Sequence, residues 1–195
     1  MKGQPNQSMI VAAQVIDLDD PEQLGRVKVQ YPHLEGQPSD WARLVTLMAG
    51  PDRGVFFRPE IGDEVLVALE HGDIRRPYIL GSVWSKVDKP PDSDGSATDN
   101  NWRFVKSRSG HIIKLDDTEG AEKVEIIDQS GQHRVVIDSA GDKIQIICQS
   151  GDMEITAGAG TLKIEAQTIE VKATNSLSLE AGATLTIKGA TVNIN

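Results

Sequence analysis

The sequence predicts an all-β protein made of two parts, a small N-terminal barrel and a C-terminal wound structure of short strands. In the N-terminal half, apolar and polar residues alternate over five short segments, the pattern of half-buried strands. From Val124 onward the chain repeats a unit of two apolar residues separated by one polar residue, followed by a short polar or glycine-bearing connection. Apolar spacing of two and then about six residues cannot form a stripe at the helical period of about 3.6.

Five alternating segments define the N-terminal part: 10–18, 25–31, 41–47, 64–69 and 78–84. Five short strands without a convincing helix indicate a barrel of the OB type over residues 9–85, preceded by a polar tail, 1–8. Every Trp, Tyr and Phe of the chain lies at or before Phe104. The N-terminal part can therefore build an ordinary core, whereas the C-terminal part must use aliphatic residues.

Nine apolar pairs, which start 7 to 11 residues apart, organise the C-terminal part. Such regular spacing is typical of a repeat architecture. Because side chains on a strand alternate between two faces, both members of a pair lie on one face and the residue between them on the other. Residues 86–103 are predicted to be a linker leading into the repeat, and residues 104–195 a β-helix. The side chains predicted to face its interior are Val124, Ile126, Val135, Ile137, Ile144, Ile146, Met153, Ile155, Leu162, Ile164, Ile169, Val171, Leu177, Leu179, Leu185, Ile187, Val192 and Ile194.

Two architectures satisfy this periodicity. A single chain could wind into a β-solenoid, but about nine strands make only about three coils with both ends open, and stacked repeats need caps or neighbours. Three copies wound about one axis would instead bury every apolar pair inward and leave no lateral sheet edge unpaired. The edge argument favours the trimer, an intertwined β-helix shaped as a triangular prism.

Composition excludes several classes of protein. The net charge is −9, with acidic residues in excess in both parts, which argues against binding to nucleic acid, because such binding depends on Lys and Arg neutralising phosphates. No apolar run is long enough to span a membrane, and the polar start lacks the apolar stretch of a signal peptide. The single cysteine, Cys148, allows no intrachain disulfide framework, which fits a reducing cytoplasm.

No residue pattern points to catalysis, a cofactor or a metal. Asp116, Asp117 and Glu119 lie in a predicted turn, where acidic residues and glycine are expected for backbone reasons. An acidic stretch beginning at Asp92 resembles a calcium loop but has Ala97 where the motif needs glycine. The four histidines have no metal-ligand spacing. We therefore predict no catalytic, cofactor-binding or metal-binding residues and a protein that is not an enzyme.

Four segments resemble the spikes of contractile injection machines. They are residues 24–29 (LGRVKV), 59–67 (PEIGDEVLV), 71–83 (HGDIRRPYILGSV) and 107–111 (SRSGH). They are similar, in the same order, to phage baseplate assembly protein V, to the tail-spike part of VgrG proteins and to the spikes of extracellular injection systems. With the C-terminal repeat, the resemblance covers nearly the whole chain.

This resemblance implies a structural role. The OB barrel would seat a homotrimer on a baseplate hub protein, and the β-helix would be a needle that transiently contacts and pierces a target membrane. The machine would assemble in the bacterial cytoplasm, as part of a phage-like particle, and deliver the spike outward on contraction. The particular machine, a phage tail, a type VI-like system or an extracellular injection system, stays open.

The chain departs from the resembled family in two respects. Only about nine residues precede the first strand, so the hub is expected to be a separate protein. The His-x-His pair that binds iron at the apex of some phage spikes is missing. A separate PAAR-type tip protein is therefore expected to bind Thr191, Val192, Asn193, Ile194 and Asn195. The alternative from another class is a β-solenoid enzyme acting on cell-surface polysaccharide, which would need an aromatic-lined groove that the repeat lacks.

Overall fold

The computed structural model describes residues 9–91 and 98–194. The predicted tail 1–8, the middle of the predicted linker with Asp92 and Ala97, and the last predicted tip residue, Asn195, lie outside the described residues. The described part contains β-strands and two short 3-10 helices, Pro32–Leu34 and Glu70–Gly72, and no α-helix. No helix in these ranges is long or apolar enough to cross a bilayer. The all-β prediction therefore agrees with the structure.

The N-terminal part forms one curled sheet and a small separate arm. Its strands are β1 (Ile10–Asp17), β2 (Lys28–Tyr31), β3 (Gln37–Pro38), β4 (Arg43–Leu44), β5 (Ala49–Gly50), β6 (Arg53–Gly54), β7 (Glu64–Leu69) and β8 (Pro77–Ser82). The curled sheet has the order β3-β2-β1-β7-β8-β4, with β4 parallel to β8, and the arm is the β5–β6 pair. A bridge between Val27, beside β2, and Ala42, beside β4, links the two sides of the sheet into a barrel.

The five predicted barrel strands are present as β1, β2, β4, β7 and β8; β7 has the predicted bounds and the other four have altered bounds. The segment predicted at 41–47 is a strand only at Arg43–Leu44, because its flanks make single backbone contacts instead of a continuous ladder. These contacts are the Val27–Ala42 bridge and the hydrogen bond that Val45 N donates to Ile79 O at 2.8 Å. The β5–β6 arm lies in a stretch that the sequence marks only as a long connection.

The barrel has a closed apolar core. Its members come from alternate positions of the paired strands, as the alternating pattern predicts. The fully buried Tyr31 donates a hydrogen bond from its hydroxyl to Ile74 O at 3.0 Å, and burial raises the pKa of this phenol to about 12. The buried core consists of Ala13, Val15, Val27, Val29, Tyr31, Ala42, Val65, Val67, Leu69 and Ile79.

The next part of the chain is a five-stranded antiparallel meander. Its strands are β9 (Trp102–Lys106), β10 (Ile112–Asp116), β11 (Lys123–Ile127), β12 (His133–Asp138) and β13 (Lys143–Cys148), each paired with the next along the chain. Tight turns make these reversals possible, and Gly131, with a φ of +72°, occupies a left-handed conformation that suits glycine. The first three apolar pairs of the repeat therefore lie in consecutive hairpins of one sheet.

Beyond β13 the chain has no ladder partner. Residues 149–194 contain neither helix nor strand, and every side chain among them is exposed. The sequence predicts six further strands here, and a strand is recognised by its hydrogen bonds to a neighbour, which this single chain does not supply. The single chain thus has a barrel, a sheet and an unpaired C-terminal segment, and the predicted β-helix is not formed within it.

Candidate assembly surfaces

One face of the five-stranded sheet carries aligned aliphatic side chains. The strand register places Val105, Ile113, Ile126, Val135 and Ile146 in one row across the sheet. A second row, two residues away on each strand, consists of Leu115, Val124, Ile137 and Ile144. We call the two rows the aliphatic face, and its members are Val105, Ile113, Leu115, Val124, Ile126, Val135, Ile137, Ile144 and Ile146.

The aliphatic face is open to solvent. Ile144 is 72%, Ile146 66% and Ile113 58% exposed, and only Val124 among the nine is less than about one third exposed. An antiparallel sheet normally packs an aliphatic face of this kind against a core. An open apolar surface of this extent marks an interaction site.

The opposite face of the sheet is mixed, because apolar side chains such as Phe104 and the buried Val136 share it with a cluster of buried charges. Lys114 Nζ lies 2.7 Å from Glu125 Oε2 and 3.3 Å from Asp116 Oδ2, and 4.1 Å from the centre of the Trp102 ring. Burial alone would raise the pKa of Asp116, but hydrogen bonds from Thr118 and Lys114 outweigh it and hold that pKa below its ordinary value. Buried charges are tolerated when paired and hydrogen-bonded. This cluster ties β9, β10 and β11 together on the face opposite the aliphatic face.

The apolar pairs continue along residues 153–194 with the same division into two faces. Most of their side chains are between half and two thirds exposed. Polar residues two positions apart contact each other around an intervening apolar residue: Lys163 Nζ lies 2.8 Å from Glu165 Oε1, and Lys172 Nζ 2.9 Å from Glu170 Oε2. Side chains two apart share a face of an extended chain. The pairs therefore form an apolar stripe that no described residue covers.

The predicted interior residues fall into two groups. The first six, Val124 to Ile146, are brought together on the aliphatic face, whereas the other twelve, Met153 to Ile194, lie along the uncovered stripe. Of the predicted tip residues, Thr191 to Ile194 are described and exposed. Sequence reasoning missed Val105, Ile113 and Leu115, although the alternation of their strands carried the signal.

Several polar residues that the sequence analysis rejected as catalytic or metal-binding candidates have structural partners in the fold. Asp116 belongs to the buried charge cluster, and Asp117 pairs with Arg103. His111 Nδ1 accepts a hydrogen bond from Gln129 N at 3.2 Å. Within the described ranges, no three His, Cys, Asp or Glu side chains are grouped so that they could hold a metal ion.

A carboxylate clamp fixes the loop between β1 and β2. The buried Asp20 accepts hydrogen bonds from Leu24 N at 2.9 Å, from Arg26 N at 3.2 Å, and from Arg26 Nη2 at 2.6 Å. These bonds, the side-chain bond to Arg26 first among them, hold the pKa of Asp20 well below its ordinary value. The clamp places Leu24 and Gly25 at the barrel surface.

A second apolar surface lies on the barrel beside the arm. Six exposed side chains line one groove of about 570 Å³ between the arm and the barrel wall. Leu47 is 95% exposed, and Phe56 and Phe57 are each 72% exposed. We call this surface the arm face, and it consists of Leu24, Val45, Leu47, Phe56, Phe57 and Leu80.

Fold and surfaces define an all-β protein with a self-contained barrel and an uncovered apolar stripe. Comparison with known proteins agrees, because residues 11–84 match the type VI secretion system/phage-baseplate injector OB domain. Residues 11–84 thus match an injector OB domain, and the chain is similar to VgrG spike proteins.

Three relatives from Pseudomonas aeruginosa carry this similarity. The type VI secretion system spike protein VgrG1a is 30% identical over 130 residues, covering 61% of this chain and 20% of the relative. VgrG1b is 30% identical over 122 residues, covering 57% and 16%, and VgrG2a is 32% identical over 106 residues, covering 50% and 12%. The match thus spans a fifth or less of each relative. All three are named as spike proteins, in agreement with the prediction of a structural protein that is not an enzyme.

Proposed function

We propose that this chain is the central spike of a contractile injection machine, and that three copies form it by winding their apolar stripes around a common axis. The observation that carries the proposal is the apolar surface that runs from the aliphatic face into residues 153–194 without any cover in the single chain. Burying an aliphatic side chain stabilises by roughly 1.5–3 kcal/mol. The 18 residues of the nine pairs are therefore a large gross driving force for association.

Three copies would cover the apolar stripe and would also supply strand partners for the unpaired C-terminal segment. The inward-facing pairs cover one another, and each segment of residues 149–194 gains neighbours for its backbone hydrogen bonds. A closed ring of chains leaves no lateral edge open, which prevents growth into larger aggregates. The polar side of residues 149–194, which carries ion pairs such as Lys163–Glu165, then faces solvent on the outside of a triangular, intertwined β-helix.

The two ends of the spike have different partners in this proposal. The OB barrel seats the trimer on a separate hub protein of the baseplate. The exposed residues Thr191 to Ile194, with Asn195, bind a PAAR-type tip protein, and the needle contacts a target membrane only during injection. The spike assembles in the bacterial cytoplasm within a phage-like particle, and contraction carries it outward. These assignments come from the resemblance to spike proteins and have their support in the match to the injector OB domain.

A matched pair of substitutions tests the trimer. Ile187→Asp puts a charge on the apolar stripe, and Thr186→Asp puts the same charge one residue away on the opposite face. We expect light scattering to give about three times the chain mass of 21.1 kDa for the wild type and for Thr186→Asp. Ile187→Asp should give monomers or aggregates, because a buried unpaired charge is not tolerated. A trimeric Ile187→Asp protein with unchanged melting would refute the axial placement.

A further inference from the structure

The arm face is held in a defined conformation by specific contacts with the barrel. The ring of Phe56 lies directly on Gly25: a Cβ at position 25 would come within 2.9 Å of Phe56 Cε2. Gly25 is held in a left-handed conformation with φ at +73°, within the loop that the Asp20 carboxylate clamps. The LGR segment therefore shapes the barrel surface on which an exposed aromatic ring is seated.

The arm that carries the other side of the groove is equally constrained. Gly54 has a φ of +153°, and a Cβ there would lie 2.5 Å from Met48 O, so only glycine allows the arm to close. Val55 N donates a hydrogen bond to Met48 O at 3.0 Å, directly beside Phe56 and Phe57. These contacts hold large apolar side chains in solvent, although the barrel core is complete without them.

The charges around the arm face favour an acidic partner. The chain has nine arginines, and in the described residues five of them form ion pairs with carboxylates. Three of the other four border the arm face. Arg43 lines the groove and contacts Tyr78, Arg53 lies over the arm turn, and Arg58 shares the adjoining groove with Leu24 and Phe56.

Three carboxylates also lie near this surface. Asp52 lies in the arm turn, and Asp19 and Asp20 line the groove next to Arg58, where Asp20 is already paired with Arg26. Arg43, Arg53 and Arg58 themselves form no ion pair with a carboxylate in the described residues, in a chain whose net charge is −9. Pairing of two arm faces with each other would set these arginines against one another, which disfavours a symmetric contact between copies.

We infer that the arm face is the docking surface for a separate protein whose contact patch is apolar at its centre and bordered by aspartate or glutamate. Phe56, Phe57 and Leu47 fill the centre of the contact, and Arg43, Arg53 and Arg58 pair with the partner's carboxylates. Aromatic anchors surrounded by charged residues are the usual composition of an energetic centre in an interface. The inference deepens the proposed function, on which it rests for the identity of the partner as a baseplate protein.

A photo-crosslinking residue in place of Phe57 tests the inference in the intact protein. Phe57→p-benzoylphenylalanine is introduced, and both producing cells and purified particles are irradiated. We expect an adduct between this chain and a different polypeptide, mapped by mass spectrometry to a segment containing aspartate or glutamate. The same residue at Gln37, exposed on β3 and outside the groove, should not give this adduct. Adducts only between spike copies, only with lipid, or absent at position 57 would overturn the inference.

Binding measurements with the captured protein complete the test. Phe57→Ser, and separately Arg53→Glu combined with Arg58→Glu, should each weaken the Kd at least about tenfold, as at interface centres. Changing the partner's crosslinked carboxylates to lysine should restore binding to the charge-reversed spike. Unchanged Kd values, with melting and trimer mass as in the wild type, would contradict the inference. Particles that contain the spike but give no adduct would sink this inference alone, whereas an acidic partner found with no particle would sink only the proposed function.

Discussion

Aliphatic residues are buried in the barrel but exposed in the C-terminal stripe. In the barrel, Val65 and Val67 have no exposed surface, because the curled sheet packs its apolar side chains against one another in the core. In the stripe, Ile164 and Ile187 are each 66% exposed in a segment without strand partners. The alternating pattern is similar in both regions. The barrel buries its apolar residues within the single chain, whereas the stripe finds no cover there, and the sheet β9–β13 lies between these extremes.

The largest expected effect comes from disrupting the buried charge cluster around Lys114 in the sheet β9–β13. Lys114→Met leaves Glu125 and Asp116 as buried charges without their cation, which should cost roughly 3–5 kcal/mol. Urea unfolding of the full-length protein would measure this loss. Lys143→Met removes an exposed lysine from β13 and is the matched control.

The same experiment has a compensating variant. Removing both Lys114 and Glu125, as Lys114→Met with Glu125→Met, should recover much of the lost stability, because Thr118 still satisfies Asp116. Equal stability of Lys114→Met and the wild type would show that the charge cluster is hydrated and that the sheet, like the stripe, has no interior of its own.

A second prediction sets the two regions directly against each other. Leu69→Ala removes a side chain from the barrel core, where Leu69 is 5% exposed, and should lower the free energy of unfolding by roughly 2–5 kcal/mol at any protein concentration. Leu179→Ala makes the same change in the stripe. Its effect should appear only in the concentration-dependent melting of the assembled protein.

Thermal melts at two protein concentrations separate these outcomes. The transition of the barrel should not move with concentration, while that of the stripe should shift upward as the concentration rises. A single transition that moves as a whole would mean that the barrel also depends on assembly, and the contrast between the two regions would fail.

The smallest expected effect is a loss of barrel stability at low pH, caused by protonation of Asp20. The pKa of Asp20 lies below its ordinary value in the folded barrel, so its carboxylate contributes stability above that ordinary value, near pH 4. This contribution is lost as the pH falls from there toward the depressed folded-state pKa. Unfolding midpoints measured from pH 7 to pH 2.5 should fall for the wild type and change less for Asp20→Asn.

Asp19→Asn is the control, since Asp19 is exposed. It should keep the acid dependence of the wild type. If Asp20→Asn and the wild type lose stability in parallel, the clamp does not set the acid sensitivity of the barrel.

The sequence by itself determined the all-β class, the five barrel strands and the two-faced apolar pairs, because a period of two residues fixes which side chains share a face. It also indicated the resemblance to injection spikes through local segments such as 71–83. Only the tertiary structure decided that Val105, Ile113 and Leu115 join the first three pairs in one sheet face, since cross-strand register depends on residues far apart in sequence. The arm face likewise emerges only in the fold, because Gly25 and Phe56, 31 positions apart in sequence, meet there in space.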